Sequence, residues 1–177
     1  MGGPKLLLSL CGKPIVRWSV EALAPHVDDL IVVVGGGALG VRAALEGLSV
    51  RFVDNPHPEA GQGSSIAVGA AALREGTDAV LVALGDQPRT PPDVVPALVA
   101  AWRRTRRAIV APVYRGVQGT PVLFAAEVFG ELIALTGDGG ARGVVGARPD
   151  RVERVALDVA MPPDVDTPED FARLRVE

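Results

Sequence analysis

The sequence predicts an α/β protein with three layers (α/β/α), in which a mostly parallel sheet is covered by helices on both faces. Short apolar runs rich in valine and leucine alternate with segments of helical composition along the 177 residues. Such alternation is typical of strand–helix–strand units, whose crossover helices bury both faces of a sheet. A composition of 48% hydrophobic and 22% charged residues is that of a globular chain. Because no linker or repeat divides the chain, we expect one domain over residues 1–177.

Two strand–helix units and a third strand are predicted in the first half of the chain. The β-branched run 30–34 ends in glycines and precedes a helical segment at 38–45. The shorter run 50–53 is followed by an alanine-rich helix at 64–73. A third apolar run, 79–83, leads directly into a turn that contains glycine and proline.

The next predicted helix begins at Thr90 and ends near Arg103. Thr90 can cap the helix, and Asp93 complements the positive end of its dipole. Its apolar positions stack on one side of the helix: Val94, Val95, Leu98, Val99 and Trp102. The four arginines between positions 103 and 107 fit a solvated helix end better than a nucleic-acid site, because the net charge of the chain is −3. A nucleic-acid partner is therefore not expected.

The second half of the chain is predicted to continue the alternation. Residues 114–120 are too rich in glycine for regular structure and indicate a hairpin-like excursion. A terminal helix is predicted at Thr167-Pro168-Glu169-Asp170, which combines a cap, a first-turn proline and an acidic third position. The other predicted elements are strands at 108–113, 121–124 and 152–157, a helix near 127–135, and a short helix after the Gly-rich loop 137–140.

Several features of the chain favour a cytoplasmic protein without a membrane segment. The single cysteine, Cys11, cannot form an internal disulfide, and no basic-then-apolar signal segment opens the chain. No apolar run approaches the roughly 18 residues that a membrane-spanning helix needs. His26 and His57 lie in unrelated settings, and without a cysteine pair they do not predict a zinc site.

Asp86 follows the apolar run 79–83, so its carboxylate is expected at the carboxyl end of a buried strand. Open α/β sheets bind their ligands at that edge. A carboxylate on a rigid turn between a glycine and a proline suits a Mg²⁺ ion that carries phosphates. From local chemistry alone, an Asx turn explains Asp86 equally well.

Three further polar residues lie where strands end or loops turn, namely Lys5, Ser64 and Asp166. Phosphoryl transfer needs carboxylates on Mg²⁺, a lysine on the phosphates and backbone amides nearby. Asp86 and Asp166 are 80 positions apart, but both follow apolar segments, so they could share an ion. Each of the three also has a structural alternative, respectively a solvated lysine, a helix cap and a turn residue before the last helix.

Six motifs in the correct order resemble those of the MobA-like nucleotidyltransferases, and most closely those of the molybdenum cofactor cytidylyltransferases. The motifs are Met1-Gly2-Gly3-Pro4-Lys5-Leu6-Leu7, Leu10-Cys11-Gly12-Lys13-Pro14, Gly61-Gln62-Gly63-Ser64-Ser65, Gly85-Asp86-Gln87-Pro88, Gly137-Asp138-Gly139-Gly140-Ala141-Arg142 and Asp164-Val165-Asp166-Thr167-Pro168-Glu169-Asp170. The fourth motif has the form associated with the cytidylyl rather than the guanylyl branch. The resemblance covers nearly the whole chain and implies a Rossmann-like nucleotidyltransferase fold.

The resemblance also implies an activity, the transfer of CMP from Mg²⁺-CTP to the terminal phosphate of molybdopterin with release of pyrophosphate. It implies that Lys5 and Asp86 are catalytic and bind the nucleotide, and that Asp86 and Asp166 hold Mg²⁺. Gly63 and Ser64 would contact the nucleotide as well. No strong general base is needed, because the acceptor phosphate is already an anion. A transient contact with a molybdoenzyme or its chaperone is a further implication.

The residues expected to bind the acceptor are Thr120, Asp138 and Arg142. Thr120 lies between Gly119 and Pro121, where the family commonly has a histidine, and this departure leaves the identity of the acceptor open. A nucleotidyltransferase that uses GTP or a sugar phosphate is one alternative. A non-catalytic carrier of the molybdenum cofactor or a nucleotide is another.

In the family, a first strand and a Gly-rich loop precede the motif that begins here at Met1. We therefore expect residues ahead of Met1 in the natural protein. A chain without them would leave an internal position of the sheet empty and would lack the loop that wraps the triphosphate, so we expect it to be poorly stable and inactive.

Overall fold

The computed structural model describes residues 5–36 and 38–176, in which strands and helices alternate. The strands are β1 (Ser9–Leu10), β2 (Lys13–Pro14), β3 (Ile31–Gly35), β4 (Arg51–Asn55), β5 (Ala79–Val82), β6 (Ile109–Tyr114), β7 (Val117–Gln118), β8 (Val122–Ala125) and β9 (Val152–Leu157). The helices are α1 (Ile15–Leu23), α2 (Leu39–Ala44), α3 (Gln62–Ala71), α4 (Val94–Thr105), α5 (Phe129–Ile133), α6 (Arg142–Ala147) and α7 (Pro168–Val176). The predicted α/β class is confirmed. None of the helices in these two ranges is both long and apolar enough to span a bilayer.

The larger sheet has five strands and is mixed rather than mostly parallel. Its order is β5-β8-β6-β7, and β9 also pairs with β6. β6 and β9 are parallel, whereas β8 is antiparallel to both β5 and β6. The expectation of a mostly parallel sheet is therefore corrected at β8. Only residues 115–121 connect β6 to β8, and a parallel pairing needs a crossover of roughly a dozen residues or more.

β3 and β4 form a separate parallel pair, in which Ile31 lies opposite Arg51 and Gly35 lies opposite Asn55. Helix α2 supplies the crossover between them, as the strand–helix–strand pattern predicts. Helix α3 packs closely on this pair, because a Cβ atom built on Gly69 would lie 3.0 Å from the side chain of Val33. Within the described residues, no hydrogen-bonded strand pair joins this sheet to the larger one.

Alternate side chains of β6 face two hydrophobic cores. Ile109 and Ala111 pack in one core with side chains of α5 and α6, and Val110 and Tyr114 pack in the other with side chains of α4. Of the predicted apolar face of α4, Val94 and Leu98 are buried in this second core, and Val99 and Trp102 pack against it. Val95 is buried as well. Helices therefore cover the sheet on both faces, as predicted.

The two predicted helix starts have different outcomes. At α7, the backbone N–H of Asp170 donates to Thr167 Oγ1 (3.1 Å), and the backbone N–H of Thr167 donates to Asp170 Oδ2 (2.9 Å). This is a reciprocal capping box, so the prediction is confirmed. At α4, the prediction of Thr90 as the cap is wrong. Its hydroxyl donates to the backbone oxygen of Gln87 (3.2 Å), and the helix begins only at Val94.

The hairpin β1–β2 and helix α1 are elements that the sequence patterns above did not predict. Cys11 and Gly12 form the turn of the hairpin, with φ angles of 50° and 79°. Leu10 and Ile15 from this region pack in one buried cluster with Val165 and Leu174. The N-terminal hairpin, α1 and the segment around α7 are thereby joined into one part of the core.

Candidate active site

The structure brings Lys5, Asp86 and Asp166 together, and we refer to these three residues as the Lys5 cluster. Lys5 begins a single 3₁₀ turn, Asp86 follows β5, and Asp166 precedes α7. The Nζ atom of Lys5 donates to Asp86 Oδ2 (2.6 Å) and to Asp166 Oδ1 (2.7 Å). One cation thus bridges two carboxylates that come from distant parts of the chain.

The turn that carries Asp86 is held by contacts from two directions. The hydroxyl of Ser19 donates to the backbone oxygen of Gly85 (3.0 Å). The backbone N–H of Val165 donates to the backbone oxygen of Asp86 (3.2 Å), and Val165 is fully buried. The loop of Asp166 is therefore anchored in the core beside the Asp86 turn, so the backbone largely sets the spacing of the two carboxylates.

The two carboxylates of the Lys5 cluster have the chemistry of a site for a divalent cation. Oδ1 of Asp86 is buried and has no hydrogen-bond partner in the described part of the chain, whereas the side chain of Asp166 is 66% exposed. In residues 5–36 and 38–176, no group of three or more His, Cys, Asp or Glu side chains is placed to hold a metal. Two carboxylates suit Mg²⁺, because this ion takes further ligands from water and from substrate phosphates.

The charges at this site shift the pKa values of a lysine and an aspartate. Partial burial alone would lower the pKa of Lys5, but its hydrogen bonds to Asp166 and Asp86 outweigh this effect and raise it. Burial is the main cause of the raised pKa of Asp164, and repulsion from the neighbouring carboxylates adds to it. The hydrogen bond from Gln87 acts in the opposite direction on the pKa of Asp164.

Gln87 links the Asp86 turn to the loop that contains Thr120. Nε2 of Gln87 donates to Asp164 Oδ1 (2.7 Å), and its Oε1 accepts from Thr120 Oγ1 (2.5 Å). The backbone oxygen of Thr120 in turn accepts from the hydroxyl of Tyr114 (2.6 Å). Burial raises the pKa of Tyr114 to about 12, so this hydroxyl remains a donor at neutral pH. Sequence reasoning gave Gln87 no role of its own, because a pattern of residue types does not reveal where an amide points.

Gly63 lies where two loops approach each other closely. Its backbone N–H donates to the backbone oxygen of Gly137 (2.8 Å). A Cβ atom built on Gly63 would lie 2.8 Å from the carbonyl carbon of Thr136, and one built on Gly61 would lie 2.6 Å from the carbonyl carbon of Gly137 and close to the side chain of Asp138. Only glycine fits such an approach without a shift of the backbone. The loop predicted to contact the nucleotide and the loop of Asp138 therefore form one packed unit.

Ser64 is fixed by hydrogen bonds in the first turn of α3. Its Oγ lies 2.8 Å from the backbone oxygen of Gly61 and 3.0 Å from that of His57, and it accepts from Asn55 Nδ2 (2.9 Å). Asn55 ends β4 and is 1% exposed. Sequence reasoning missed Asn55, although a polar residue at the carboxyl end of a strand was the signal that identified Asp86. Because α3 begins before Ser64, the alternative that Ser64 caps this helix is wrong.

Asp138 and Arg142 are exposed and lie outside the Lys5 cluster. In the described part of the chain, no hydrogen bond or ion pair joins either side chain to that cluster. Asp138 lies beside Gly61, next to the loop predicted to contact the nucleotide, and Arg142 begins α6. Their assignment to the acceptor stays a prediction.

Comparison with known proteins identifies the family of this chain. The model of the MobA-like NTP transferase domain matches residues 1–152. The chain belongs to this family. It is also similar to the crystal structure of Rv0371C from Mycobacterium tuberculosis H37Rv in complex with manganese, with a TM-score of 0.84 and 31% identity over 99% of this chain and 94% of that chain. The predicted resemblance to the MobA-like nucleotidyltransferases and the α/β fold that it implies are confirmed.

Two curated relatives match part of this MobA-like chain. The bifunctional protein GlmU of Sorangium cellulosum (strain So ce56) is 33% identical over 115 residues, which are 61% of this chain and 24% of that protein. The molybdenum cofactor guanylyltransferase of Cereibacter sphaeroides is 34% identical over 99 residues, which are 55% of this chain and 49% of that protein. The chain thus spans about a quarter of the first relative and about half of the second. These matches agree with membership of a nucleotidyltransferase family.

Proposed function

We propose that this protein, in its natural full-length form, transfers CMP from Mg²⁺-CTP to the terminal phosphate of a molybdopterin-type acceptor. The observation that carries the proposal is the bridging of Asp86 and Asp166 by the ammonium group of Lys5. Phosphoryl-type transfer depends on positioning and on charge neutralisation, and this cluster lies after β5, at the edge where α/β sheets bind ligands. Family membership supports nucleotidyl transfer, and the Gly85-Asp86-Gln87-Pro88 motif supports CTP.

The proposed reaction joins two phosphates and releases pyrophosphate. An oxygen of the acceptor's terminal phosphate attacks the α-phosphorus of CTP and forms a new P–O bond. The bond from the α-phosphorus to the oxygen that bridges to the β-phosphate breaks, and pyrophosphate leaves with the electron pair. Because the nucleophile is an anion, no residue has to remove a proton. The main demand on the protein is to offset the repulsion between phosphates, which cations at the site meet.

The Lys5 cluster would meet this demand. Asp86 and Asp166 would hold Mg²⁺, which would neutralise phosphate charge and orient the triphosphate. Lys5 has a flexible four-carbon stem, so its ammonium group can turn from the carboxylates towards phosphate oxygens. Beside the carboxylates its positive charge is favoured, because the hydrogen bonds to Asp166 and Asp86 raise its pKa.

The other predicted site residues would position the two substrates. Gly63 and Ser64 would shape the loop beside the nucleotide, because their backbone N–H groups and the hydroxyl of Ser64 are engaged inside the protein. Thr120, Asp138 and Arg142 would lie towards the acceptor. Of these three, only Thr120 is joined by hydrogen bonds to the segments that carry the two carboxylates.

The direct test is pyrophosphate release by the natural full-length protein with Mg²⁺, molybdopterin, and either CTP or GTP supplied separately. We expect release with CTP and little release with GTP. Asp86→Asn should abolish the release with CTP. Asp158→Asn is a matched control, because the Asp158 side chain is 98% exposed and lies outside the Lys5 cluster. Equal activity of wild type and Asp86→Asn would contradict the proposal.

Guanylyl transfer is a second candidate, because one relative is a molybdenum cofactor guanylyltransferase that is 34% identical over 99 residues. Release with GTP and not with CTP would favour it. Nucleotide binding without release from either nucleotide would favour a carrier that has no catalytic activity.

A further inference from the structure

Gln87 uses both ends of its side-chain amide inside the protein. Nε2 donates to Asp164 Oδ1 at 2.7 Å, and Oε1 accepts from Thr120 Oγ1 at 2.5 Å. With 4% of its surface exposed, Gln87 has little access to solvent or to a ligand. A buried polar group that loses its partners is costly. The segments that carry Asp164 and Thr120 are therefore held in one arrangement by this amide.

Gln87 and Asp164 lie close in sequence to the two carboxylates of the Lys5 cluster. Gln87 directly follows Asp86, and Asp164 is separated from Asp166 by Val165 alone. The backbone N–H of Val165 also donates to the backbone oxygen of Asp86 (3.2 Å). One backbone and one side-chain hydrogen bond thus connect the two carboxylate-bearing segments, and the same side chain continues to the Thr120 loop.

We propose that Gln87 is a positioning residue that couples the Thr120 loop to the spacing of the two carboxylates. The inference rests on the proposed function, in which these carboxylates hold a divalent cation and Thr120 faces the acceptor. Gln87 acts through Asp164 and Thr120 and touches neither the ion nor a substrate. Altering a direct hydrogen-bond partner of a metal ligand commonly changes metal affinity or activity by about 10–100-fold. Gln87 bonds Asp164 and Thr120 rather than the ligands themselves, so we expect an effect at the lower end of that range.

The two contacts require an amide at position 87. The carboxylate of Asp164 needs a donor, and the hydroxyl of Thr120 needs an acceptor at the other end of the same side chain. A glutamate would keep the contact with Thr120 but would place a second carboxylate against Asp164, and a leucine would make neither contact. When Gln87→Glu is combined with Asp164→Asn, the amide moves to position 164 and the carboxylate to position 87. The pair then has one donor and one acceptor again, and the net charge is unchanged.

The test is a titration with Mn²⁺ alone, followed by electron paramagnetic resonance, in wild type, Gln87→Leu, Gln87→Glu, the combined Gln87→Glu/Asp164→Asn variant and Asp86→Asn. We expect Gln87→Leu and Gln87→Glu to bind Mn²⁺ about tenfold more weakly. The combined variant should recover most of that loss. In steady-state kinetics, Thr120→Val should raise the KM for the acceptor substrate with little change in the KM for CTP. It removes the hydrogen bond between Thr120 and Gln87 but leaves the one between Gln87 and Asp164.

Two results would overturn the inference: wild-type Mn²⁺ affinity in Gln87→Glu, or a combined variant that binds no better than Gln87→Glu. Circular dichroism checks that each variant folds. If Gln87→Leu fails to fold, the comparison of Gln87→Glu with the combined variant still tests the inference, since these two differ only at position 164. Mn²⁺ binding is measured without nucleotide or acceptor, so a failed CTP reaction leaves this readout intact. Wild type that binds Mn²⁺ no better than Asp86→Asn would overturn the metal assignment and this inference together.

Discussion

The ammonium nitrogen of Lys5 lies 2.6 Å from Oδ2 of Asp86, across 81 positions of sequence. Asp166 is the second partner of the same nitrogen, at 2.7 Å. A cation between two carboxylates offsets their mutual repulsion. It also contacts the oxygen atoms that a divalent cation would need. Lys5 and a metal ion therefore compete for these atoms, and substitutions at Lys5 should affect metal and nucleotide in opposite directions.

Lys5→Met should weaken CTP binding and tighten Mn²⁺ binding. The loss of a charged hydrogen bond costs about 1.5–3 kcal/mol, so we expect CTP to bind at least about tenfold more weakly. The turnover rate should fall as well, because Lys5 would contact the phosphates in both ground and transition states. Isothermal titration calorimetry with each ligand measures both effects.

Lys13→Met is the control for this experiment, since Lys13 pairs with Glu21 outside the Lys5 cluster. It should leave both affinities near the wild-type values. If Lys5→Met also bound both ligands like wild type, Lys5 would be a structural residue only.

Asp86→Asn should remove metal-dependent activity without unfolding the protein. Asparagine keeps the shape of the side chain, and the turn is held by backbone contacts at Gly85 and Asp86 that this change does not touch. Loss of a metal ligand should exceed the about 10–100-fold loss that follows from altering a ligand's partner. Pyrophosphate release and thermal unfolding, measured beside Asp158→Asn, separate activity from stability. A fully active Asp86→Asn would show that Asp86 is not a metal ligand.

Gly63→Ala should destabilise the protein, because the new Cβ would lie 2.8 Å from the backbone carbon of Thr136. Overpacking of this kind typically costs about 1–3 kcal/mol of unfolding free energy. Gly143→Ala is the matched control, since Gly143 lies in α6 and nothing would lie within 4 Å of its Cβ. That change should leave stability unchanged or raise it by up to about 1 kcal/mol. Urea unfolding measures both, and equal midpoints would show that the two loops do not pack as closely as described.

The ion pair of Asp29 with Arg51 should contribute to acid sensitivity. The hydrogen bond from Arg51 (2.7 Å) is the main reason why the pKa of Asp29 lies below its ordinary value of 3.8. A lowered pKa in the folded state means that this stabilisation is complete above the unfolded-state value and is lost as the pH falls through the folded-state value.

Asp29→Asn should therefore remove about 0.5–1 kcal/mol of unfolding free energy at pH 7. The unfolding free energy of this variant should also fall less steeply than that of wild type as the pH is lowered. Unfolding in urea across acidic pH values measures the slope, with Asp158→Asn as the comparison variant. A slope for Asp29→Asn as steep as that of wild type would assign the acid sensitivity to other groups.

Position along the chain was enough to predict that the carboxylate of Asp86 lies at the end of a strand. The hydrogen bonds of Gln87, in contrast, are visible only in the structure. Asp86 follows an apolar run, and the strand it forms brings the carboxylate to the edge of the sheet. Gln87 and Asn55 act through burial, at 4% and 1% exposure, and through the direction of an amide. Neither property is encoded by residue spacing. Lys5 required the family motif, since a lone lysine near a chain start is ordinarily solvated.

Similar local sequences also gave different local structures. Thr90-Pro91-Pro92-Asp93 and Thr167-Pro168-Glu169-Asp170 both combine threonine, proline and an aspartate three positions on, yet only the second forms a capping box. At the first, the hydroxyl of Thr90 donates instead to the backbone oxygen of Gln87, three positions earlier in the chain. The direction of β8 likewise depends on the short connection before it, because apolar periodicity is the same in parallel and antiparallel strands.

Val165 is fully buried between two aspartates, in a cluster with Leu10, Ile15 and Leu174. A valine has no group that could take part in a reaction, yet its burial in the core fixes the positions of the carboxylates on either side of it. Natural selection for activity would therefore act on these apolar side chains too. A genetic screen for inactive variants would recover conservative exchanges at Val165 more readily than exchanges at Glu169, an exposed residue in the first turn of α7.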